Sequence, residues 1–150
     1  LIAVKSADCT PILLWDCQKG AVGAVHAGWR GTALKAPARA VEAMASAYGS
    51  IPADLIAVIG PAIGPCCCAV GPEVVAAFAK AFGTGKFIGS PDDPRADLHA
   101  ANHHTLHEAG LDPERVHVVR LCTACHPGLF FSHRRDGGRT GRQINFIGKA

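Results

Sequence analysis

Two apolar runs joined by a short polar turn constrain the fold of this chain more than any other feature. Residues 11–16 read Pro-Ile-Leu-Leu-Trp-Asp, and residues 21–26 read Ala-Val-Gly-Ala-Val-His. Short apolar runs separated by turn residues are typical of the two strands of a hairpin. If the turn centres on Gln18 and Lys19, the register of the hairpin places His26 opposite Pro11.

The same register brings Cys9 close to His26. Cys9 lies two residues beyond Pro11 on the same face, as a diagonal neighbour at roughly 7–8 Å. A thiolate and a neutral imidazole suit Zn²⁺, and three protein ligands plus water form a catalytic zinc site. Two alternatives stay open at this point. Cys9 could be a nucleophile with His26 as its base, or both could be structural, a buried cysteine and a histidine bonded to the backbone.

The rest of the chain alternates helical and extended patterns. Helices are predicted over residues 32–48, 72–82 and 98–109, each ended by a glycine. Further strands are predicted over residues 1–7, 55–59, 115–121, 129–133 and 142–147, of which the first is expected to be buried and the last two to flank a Gly-rich turn. Because the helices follow hairpin-like strand pairs, the predicted class is α+β or mixed α/β, in a single domain over residues 1–150.

Composition limits the classes of partner and compartment. The formal net charge is +3 and the basic residues form no stripe, so no nucleic-acid partner is predicted. No run approaches the roughly 18 apolar residues that span a bilayer, and the first residues lack the charged region of a signal peptide, so no membrane partner is expected. The 7 cysteines, an odd number, favour reduced thiols and a cytoplasmic protein. A strand pattern without an initial Met suggests residues upstream of Leu1.

Several unusual motifs follow one another from residue 1 to about residue 147. They are Ala7-Asp8-Cys9-Thr10-Pro11, His26-Ala27-Gly28-Trp29-Arg30-Gly31, Gly60 to Cys67 with Val70-Gly71, Asp97-Leu98 with Asn102, Cys122-Thr123, and Phe130 to Asp136 with Thr140-Gly141-Arg142. In this order and spacing they resemble the bacterial laccase-domain family, also called polyphenol oxidase or peptidoglycan-editing-factor proteins. The resemblance implies an α+β fold, a layered α/β sandwich with mixed sheets that is distantly related to the cytotoxic-necrotizing-factor toxins.

The resemblance also implies a function and a metal. Members of the family are purine nucleoside phosphorylases that also deaminate adenosine, so a nucleoside and phosphate are the expected small-molecule partners. Their zinc is held by one Cys and two His, and Cys9 and His26 match two of these ligands. The third His belongs to a Val-His-Gly motif, which is expected upstream of residue 1. Copper is less favoured than zinc, because one Cys and one His cannot supply the ligand sets of a laccase.

The motifs contain four further residues that are candidates for a role in the active site. Arg30 is a candidate catalytic anion clamp, and Arg134 and Arg135 are candidates for binding substrate phosphate and the charge that develops on the purine. Asp8 is a candidate partner of a metal ligand or proton carrier, with a turn-capping aspartate as the alternative. Other functions remain open: a Cys-His hydrolase that edits peptidoglycan precursors, a phenol oxidase, or an inactive interaction domain. Cys68-Ala69 replaces the family's usual aromatic-Glu pair.

Three other patterns are interpreted as structural. Cys122 to His126 fits the Cys-x-x-Cys-His motif of haem attachment, but it follows a strand, and the only methionine, Met44, lies upstream of it. Only Cys122-Thr123 matches the family's motif, and Cys125-His126 is therefore interpreted as incidental. The histidines of the third helix have the i,i+4 spacing of metal ligands, yet a solvated helix face is favoured; they are His99, His103, His104 and His107. The run from Gly60 to Pro65 is not a phosphate loop and is expected to form a rigid wall of the active site.

Overall fold

The computed structural model describes residues 1–149, in which six strands form two sheets. The strands are β1 (Ile2–Ser6), β2 (Thr10–Asp16), β3 (Ala21–Ala27), β4 (Leu55–Ile59), β5 (Val116–Val118) and β6 (Gln143–Ile147). One sheet has the order β3-β2-β4-β5, with β2 antiparallel to both neighbours and β5 parallel to β4. The other is an antiparallel pair of β1 and β6. The predicted α+β class with a mixed sheet is confirmed.

The hairpin of β2 and β3 has the predicted register. Pro11 pairs with His26 and Thr10 with Ala27. Along β2, the side chains of Ile12 and Leu14 are fully buried, and Trp15 is exposed. Because a one-residue slip would turn the apolar face outward, this alternation fixes the register that carries His26 to the end of the hairpin where Cys9 lies.

Four α-helices lie within residues 1–149, and they cover the sheet and the adjoining loops. They are α1 (Trp29–Ala33), α2 (Ala36–Tyr48), α3 (Pro72–Phe82) and α4 (Leu98–Glu108). The single helix predicted over residues 32–48 is wrong in its first part, because Lys35 has a left-handed conformation with φ 55° and separates α1 from α2. Pro37 lies in the first turn of α2, where its missing N–H costs nothing. The predicted ends at Gly49 and Gly83 are confirmed.

Two apolar clusters form the interior. The first joins the inner face of the four-stranded sheet to α2 and α4, through residues such as Leu14, Val41 and Leu106. The second packs α3 and the start of α4 against the loop that follows β4, around Ile63, Phe78 and others. Phe78 is fully buried, and burial of an aromatic side chain of this size stabilises a fold by roughly 3 kcal/mol. The second cluster supports one wall of the cavity described below.

The strand prediction is wrong at two places. Residues 129–133 form turns and coil instead of a strand, and the side chain of Gln143 donates to the Phe131 carbonyl oxygen there. The strand β6 pairs with β1 instead. The prediction that the first strand is buried is also wrong, since Ile2 is 40% exposed and β1 pairs with β6 alone among the described strands.

Within residues 1–149, no helix combines the length and the apolar character that crossing a membrane requires. The assignment of the whole chain to one domain stays a prediction.

Candidate active site

A cavity of about 480 Å³ lies between the end of the β2–β3 hairpin and the loops that precede α3 and β6. Its size is in the range of pockets for small molecules. Cys9 and His26 both line it, as the hairpin register predicted. The wall combines apolar side chains with several charged or titratable groups; its lining includes Asp8, Trp29, Ile63, Val70, Glu73, Val74, Leu98, His133, Arg134 and Arg142.

The ring of His26 is held in one orientation by the neighbouring sheet. Its Nδ1 atom lies 2.8 Å from the carbonyl oxygen of Lys5 in β1. A carbonyl oxygen only accepts hydrogen bonds, so Nδ1 carries a proton, and in the neutral ring the free lone pair is on Nε2. This arrangement is the one by which proteins orient a metal-binding histidine and raise its basicity. The imidazole of His26 is therefore prepared to bind a metal ion through Nε2.

Cys9 reaches the cavity because a glycine leaves room for its sulfur. A Cβ atom at Gly28 would lie only 2.8 Å from the Cys9 Sγ atom, which is closer than real carbon–sulfur contacts. Burial raises the pKa of the half-buried Cys9 thiol, the Asp8 carboxylate raises it further, and the Arg142 guanidinium lowers it. Without a metal ion, Cys9 is therefore a neutral thiol at physiological pH.

Asp8 connects three loops beneath the cavity. The backbone of Asp8 has a φ of 85°, a left-handed conformation that Asp tolerates better than most residues do. One carboxylate oxygen accepts a hydrogen bond of 2.6 Å from the Thr123 hydroxyl, and the other accepts one of 2.6 Å from the backbone N–H of Arg134. Asp8 therefore holds these loops in place through its hydrogen bonds. Its role in catalysis stays a prediction.

The three predicted arginines lie in different environments. Arg134 lines the cavity, and its Nη1 atom donates to the Ala69 carbonyl at 2.9 Å and the Cys67 carbonyl at 3.3 Å. Arg30 is exposed, stacks on the Trp29 ring at 4.2 Å and is not among the lining residues. Arg135 is not among them either, because its guanidinium is bonded to Asp136 and to two backbone carbonyls.

Arg142, His133 and Glu73 are lining residues with charged or titratable side chains that the sequence analysis missed as site residues. Arg142 and His133 belong to motifs that were recognised, but spacing alone did not show that they line the same cavity as Cys9. Glu73 stands in the first turn of α3, and its carboxylate folds back over Gly71, where a Cβ atom would collide with it. Pro72 followed by an acidic residue marks a helix start and was the available signal.

Among the described residues, the Cys9 sulfur and the His26 ring nitrogen are donor atoms that suit zinc. A thiol and an oriented imidazole line one cavity, and Arg142 favours the thiolate form of Cys9. Within residues 1–149, however, no group of three or more Cys, His, Asp or Glu residues that includes Cys9 or His26 has all its ligand atoms within 4.8 Å of one another. The cluster that does meet this distance lies elsewhere, at Cys66, Cys67, Cys122 and Cys125, and could hold a metal ion.

The histidines on α4 are not assembled into a metal site in the described part of the chain. The prediction that they share a solvated face is wrong for His99, which is buried and bonds the Gly60 carbonyl at 3.2 Å. Burial lowers the pKa of His99, and also that of His103. His104 lies 3.3 Å from Glu108 on the next turn. These contacts give α4 a structural role.

Comparison with known proteins agrees with this architecture. The human purine nucleoside phosphorylase LACC1 is 39% identical over 150 residues, which cover 97% of this chain and 35% of that protein. The adenosine deaminase RL5 of an unknown prokaryotic organism is 40% identical over 151 residues, 98% of this chain and 57% of that protein. The chain thus spans between a third and three fifths of these relatives.

A solved structure has the same fold. The crystal structure of YlmD from Geobacillus stearothermophilus superimposes with a TM-score of 0.92 at 38% identity, covering 98% of this chain and 56% of that one. The family described as multi-copper polyphenol oxidoreductase laccase matches residues 1–150. Together with the ordered motifs and the shared fold, this match shows that the chain belongs to that family.

Proposed function

We propose that this chain carries the Cys-His part of the active site of a zinc-dependent purine nucleoside phosphorylase that also deaminates adenosine. The observation that carries the proposal is the pair of Cys9 and His26 at one cavity, with the His26 ring oriented by the Lys5 carbonyl. Relatives named purine nucleoside phosphorylase and adenosine deaminase, at 39% and 40% identity, support the same chemistry.

Zinc would be held by the Cys9 sulfur and the His26 Nε2 atom, together with the third histidine expected upstream of residue 1. When bound, the ion supplies a Lewis acid that activates water or polarises a purine nucleoside. Two other residues of this chain position the zinc ligands. Gly28 leaves room for the Cys9 sulfur, and the Lys5 carbonyl keeps the Nδ1 atom of His26 protonated.

The cavity offers cationic side chains for phosphate. Arg134 and Arg142 both line it. Of the three guanidinium nitrogens of Arg134, only Nη1 is bonded among the described residues, so the Nε and Nη2 hydrogens can bind an anion. We therefore assign phosphate binding to Arg134 and Arg142. Arg30 and Arg135 would contribute from outside the cavity wall, by stacking on Trp29 and by bracing the loop next to Arg134.

The apolar part of the lining suits a purine ring. Trp29, Val70 and Leu98 belong to it, and planar aromatic ligands pack well against such side chains. The lining residues Val74 and Ile63 belong to the second apolar cluster, which supports this wall. We therefore assign binding of the purine base to these side chains.

A cysteine hydrolase is the competing function, and the environment of Cys9 argues against it. A nucleophilic cysteine needs a lowered pKa. Burial and the Asp8 carboxylate instead raise the pKa of Cys9. A zinc ligand does not meet this difficulty, because the metal itself displaces the proton from the thiol.

The test uses the natural full-length polypeptide that contains this chain. Phosphorolysis is measured as purine release from adenosine and inosine in phosphate buffer. Deamination is measured as conversion of adenosine to inosine without phosphate. We expect both activities to disappear on removal of metal and to return with Zn²⁺. We also expect Cys9→Ala to abolish them, whereas Cys17→Ala, an exposed cysteine outside the cavity, leaves them intact. Turnover that persists after complete zinc removal would contradict the proposal.

A further inference from the structure

Four cysteines from two distant segments converge on one point outside the candidate active site. The sulfur atoms of Cys66, Cys67, Cys122 and Cys125 all lie within 4.8 Å of one another. The Cys125 sulfur is 3.4 Å from that of Cys67 and 3.6 Å from that of Cys66. None of the four lines the cavity that holds Cys9 and His26. They are therefore a second concentration of metal-binding groups.

The distances match a mononuclear tetrahedral site. Zinc–sulfur bonds are about 2.3 Å long, so the sulfurs of a regular zinc tetrathiolate are separated by about 3.8 Å. The Cys125 sulfur lies 3.4 and 3.6 Å from its two neighbours, which is close to this value. All sulfur pairs of the cluster are within 4.8 Å, so only small movements would complete a tetrahedron. A cluster with several irons spreads its cysteines farther apart, so the geometry favours a single ion.

The backbone is built to bring the two segments together. Ala62 and Cys122 form an isolated parallel bridge, and the Thr123 N–H donates to the Ala62 carbonyl at 3.1 Å. Gly64 allows the close approach, because a Cβ atom there would lie 3.3 Å from both the Cys122 Cβ and the Cys66 Sγ. Tight turns after Gly64 and Cys122 then direct the remaining sulfurs to the same point.

Positive charge lies next to the four cysteines. Two guanidinium groups lie beside the cluster. Arg95 donates to the Cys66 carbonyl at 2.6 Å, and Arg134 donates to the Cys67 carbonyl. Their positive charge offsets part of the negative charge that a zinc tetrathiolate carries.

We propose that Cys66, Cys67, Cys122 and Cys125 bind one Zn²⁺ ion as a structural site that is separate from Cys9 and His26. Binding replaces the four S–H protons with four zinc–sulfur bonds and requires no redox reaction. The ion fastens the turn after Gly64 to the turn after Cys122. Because the Cys67 carbonyl accepts a hydrogen bond from Arg134, the same ion also helps to fix an arginine of the cavity wall.

The test is a zinc count on the full-length protein after gel filtration under reducing conditions. Cys66→Ser/Cys125→Ser is the informative variant, because both side chains are exposed and the fold should tolerate serine. We expect it to lose one zinc per chain relative to wild type, with its circular dichroism retained. Cys17→Ser, a third exposed cysteine, is the matched control and should lose none. Cys9→Ala should keep the tetrathiolate zinc, which separates this proposal from the proposed function.

Cobalt substitution tests the ligand set with all four cysteines of the cluster in place. Co²⁺ added to zinc-free Cys9→Ala protein should give the intense sulfur-to-metal charge-transfer and d–d absorption of a tetrahedral tetrathiolate. An unchanged zinc count in the double variant, a cobalt spectrum of an oxygen-rich octahedral site, or a disulfide among the four cysteines under reducing conditions would overturn the proposal.

Discussion

Replacing Gly28 by Ala tests whether the position of the Cys9 sulfur matters for metal binding. Gly28 has φ −73°, which any residue adopts, so backbone strain plays no part. The added Cβ atom would lie 2.8 Å from the Cys9 Sγ, whereas ordinary contacts begin at 3.4 Å. The sulfur or the loop must therefore retreat by about 0.6 Å, which exceeds the roughly 0.2 Å tolerance of zinc–ligand distances.

The expected result is a weaker metal site in a protein that remains folded. Overpacking of this kind costs about 1–3 kcal/mol, and the loss of glycine's freedom in the unfolded chain returns about 0.4–1 kcal/mol. We expect the zinc affinity of the Cys9–His26 site to fall about 10- to 100-fold, as for other disturbances of residues that orient metal ligands.

The assay is competition for zinc against a chromophoric chelator, with urea unfolding measured in parallel. Gly31→Ala is the matched control, because its nearest atom would be the His26 carbonyl oxygen at 3.5 Å, an ordinary contact. Gly31 lies in α1, so alanine there should leave zinc affinity unchanged and stabilise the protein slightly. If Gly28→Ala binds zinc as tightly as Gly31→Ala, the geometric reasoning about Cys9 is wrong.

Three further substitutions test the supports of the site. Asp8→Ala removes a carboxylate that accepts two hydrogen bonds of 2.6 Å, so urea unfolding should show a loss of about 2–4 kcal/mol; a loss below 1 kcal/mol would contradict its anchoring role. Asn102→Ala leaves the Thr32 hydroxyl and the Leu98 carbonyl without their buried partner and should cost about 2 kcal/mol in the same experiment. Burial lowers the pKa of folded His99 below its unfolded value of 6.5, so the unfolded chain binds more protons and stability falls as pH drops below about 6.5. His99→Asn should flatten this part of the pH profile, and an unchanged slope would count against the burial argument.

Local rules predicted the hairpin because turn and strand signals lie within a few residues of each other. The pairing of Pro11 with His26 followed from the position of the turn alone. The same rules contained a signal that was not used: Pro37 inside the predicted helix 32–48 indicated a break, which the structure places at Lys35. The predicted helix ends at Gly49 and Gly83 were correct, because glycine destabilises the interior of a helix.

Contacts between distant segments could not be predicted in this way. The hydrogen bond from the His26 ring to the Lys5 carbonyl oxygen joins two separate sheets, and the convergence of Cys125 with Cys66 spans 59 residues. Sequence analysis interpreted Cys125 as incidental because only Cys122-Thr123 matched the family's motif, and the cysteines near Cys125 in space lie far along the chain. Residues 129–133 resembled a strand in composition, but they form turns and coil. These features depend on the tertiary fold.

The central claim is that His26 and Cys9 hold a catalytic zinc ion, and His26→Ala tests it most directly. Zinc content and purine release from adenosine with phosphate are measured on the same preparation of the full-length protein. The account predicts that His26→Ala loses one zinc per chain and all detectable phosphorolysis, while the tetrathiolate zinc is retained. A variant with wild-type zinc content, or with wild-type turnover, would contradict it.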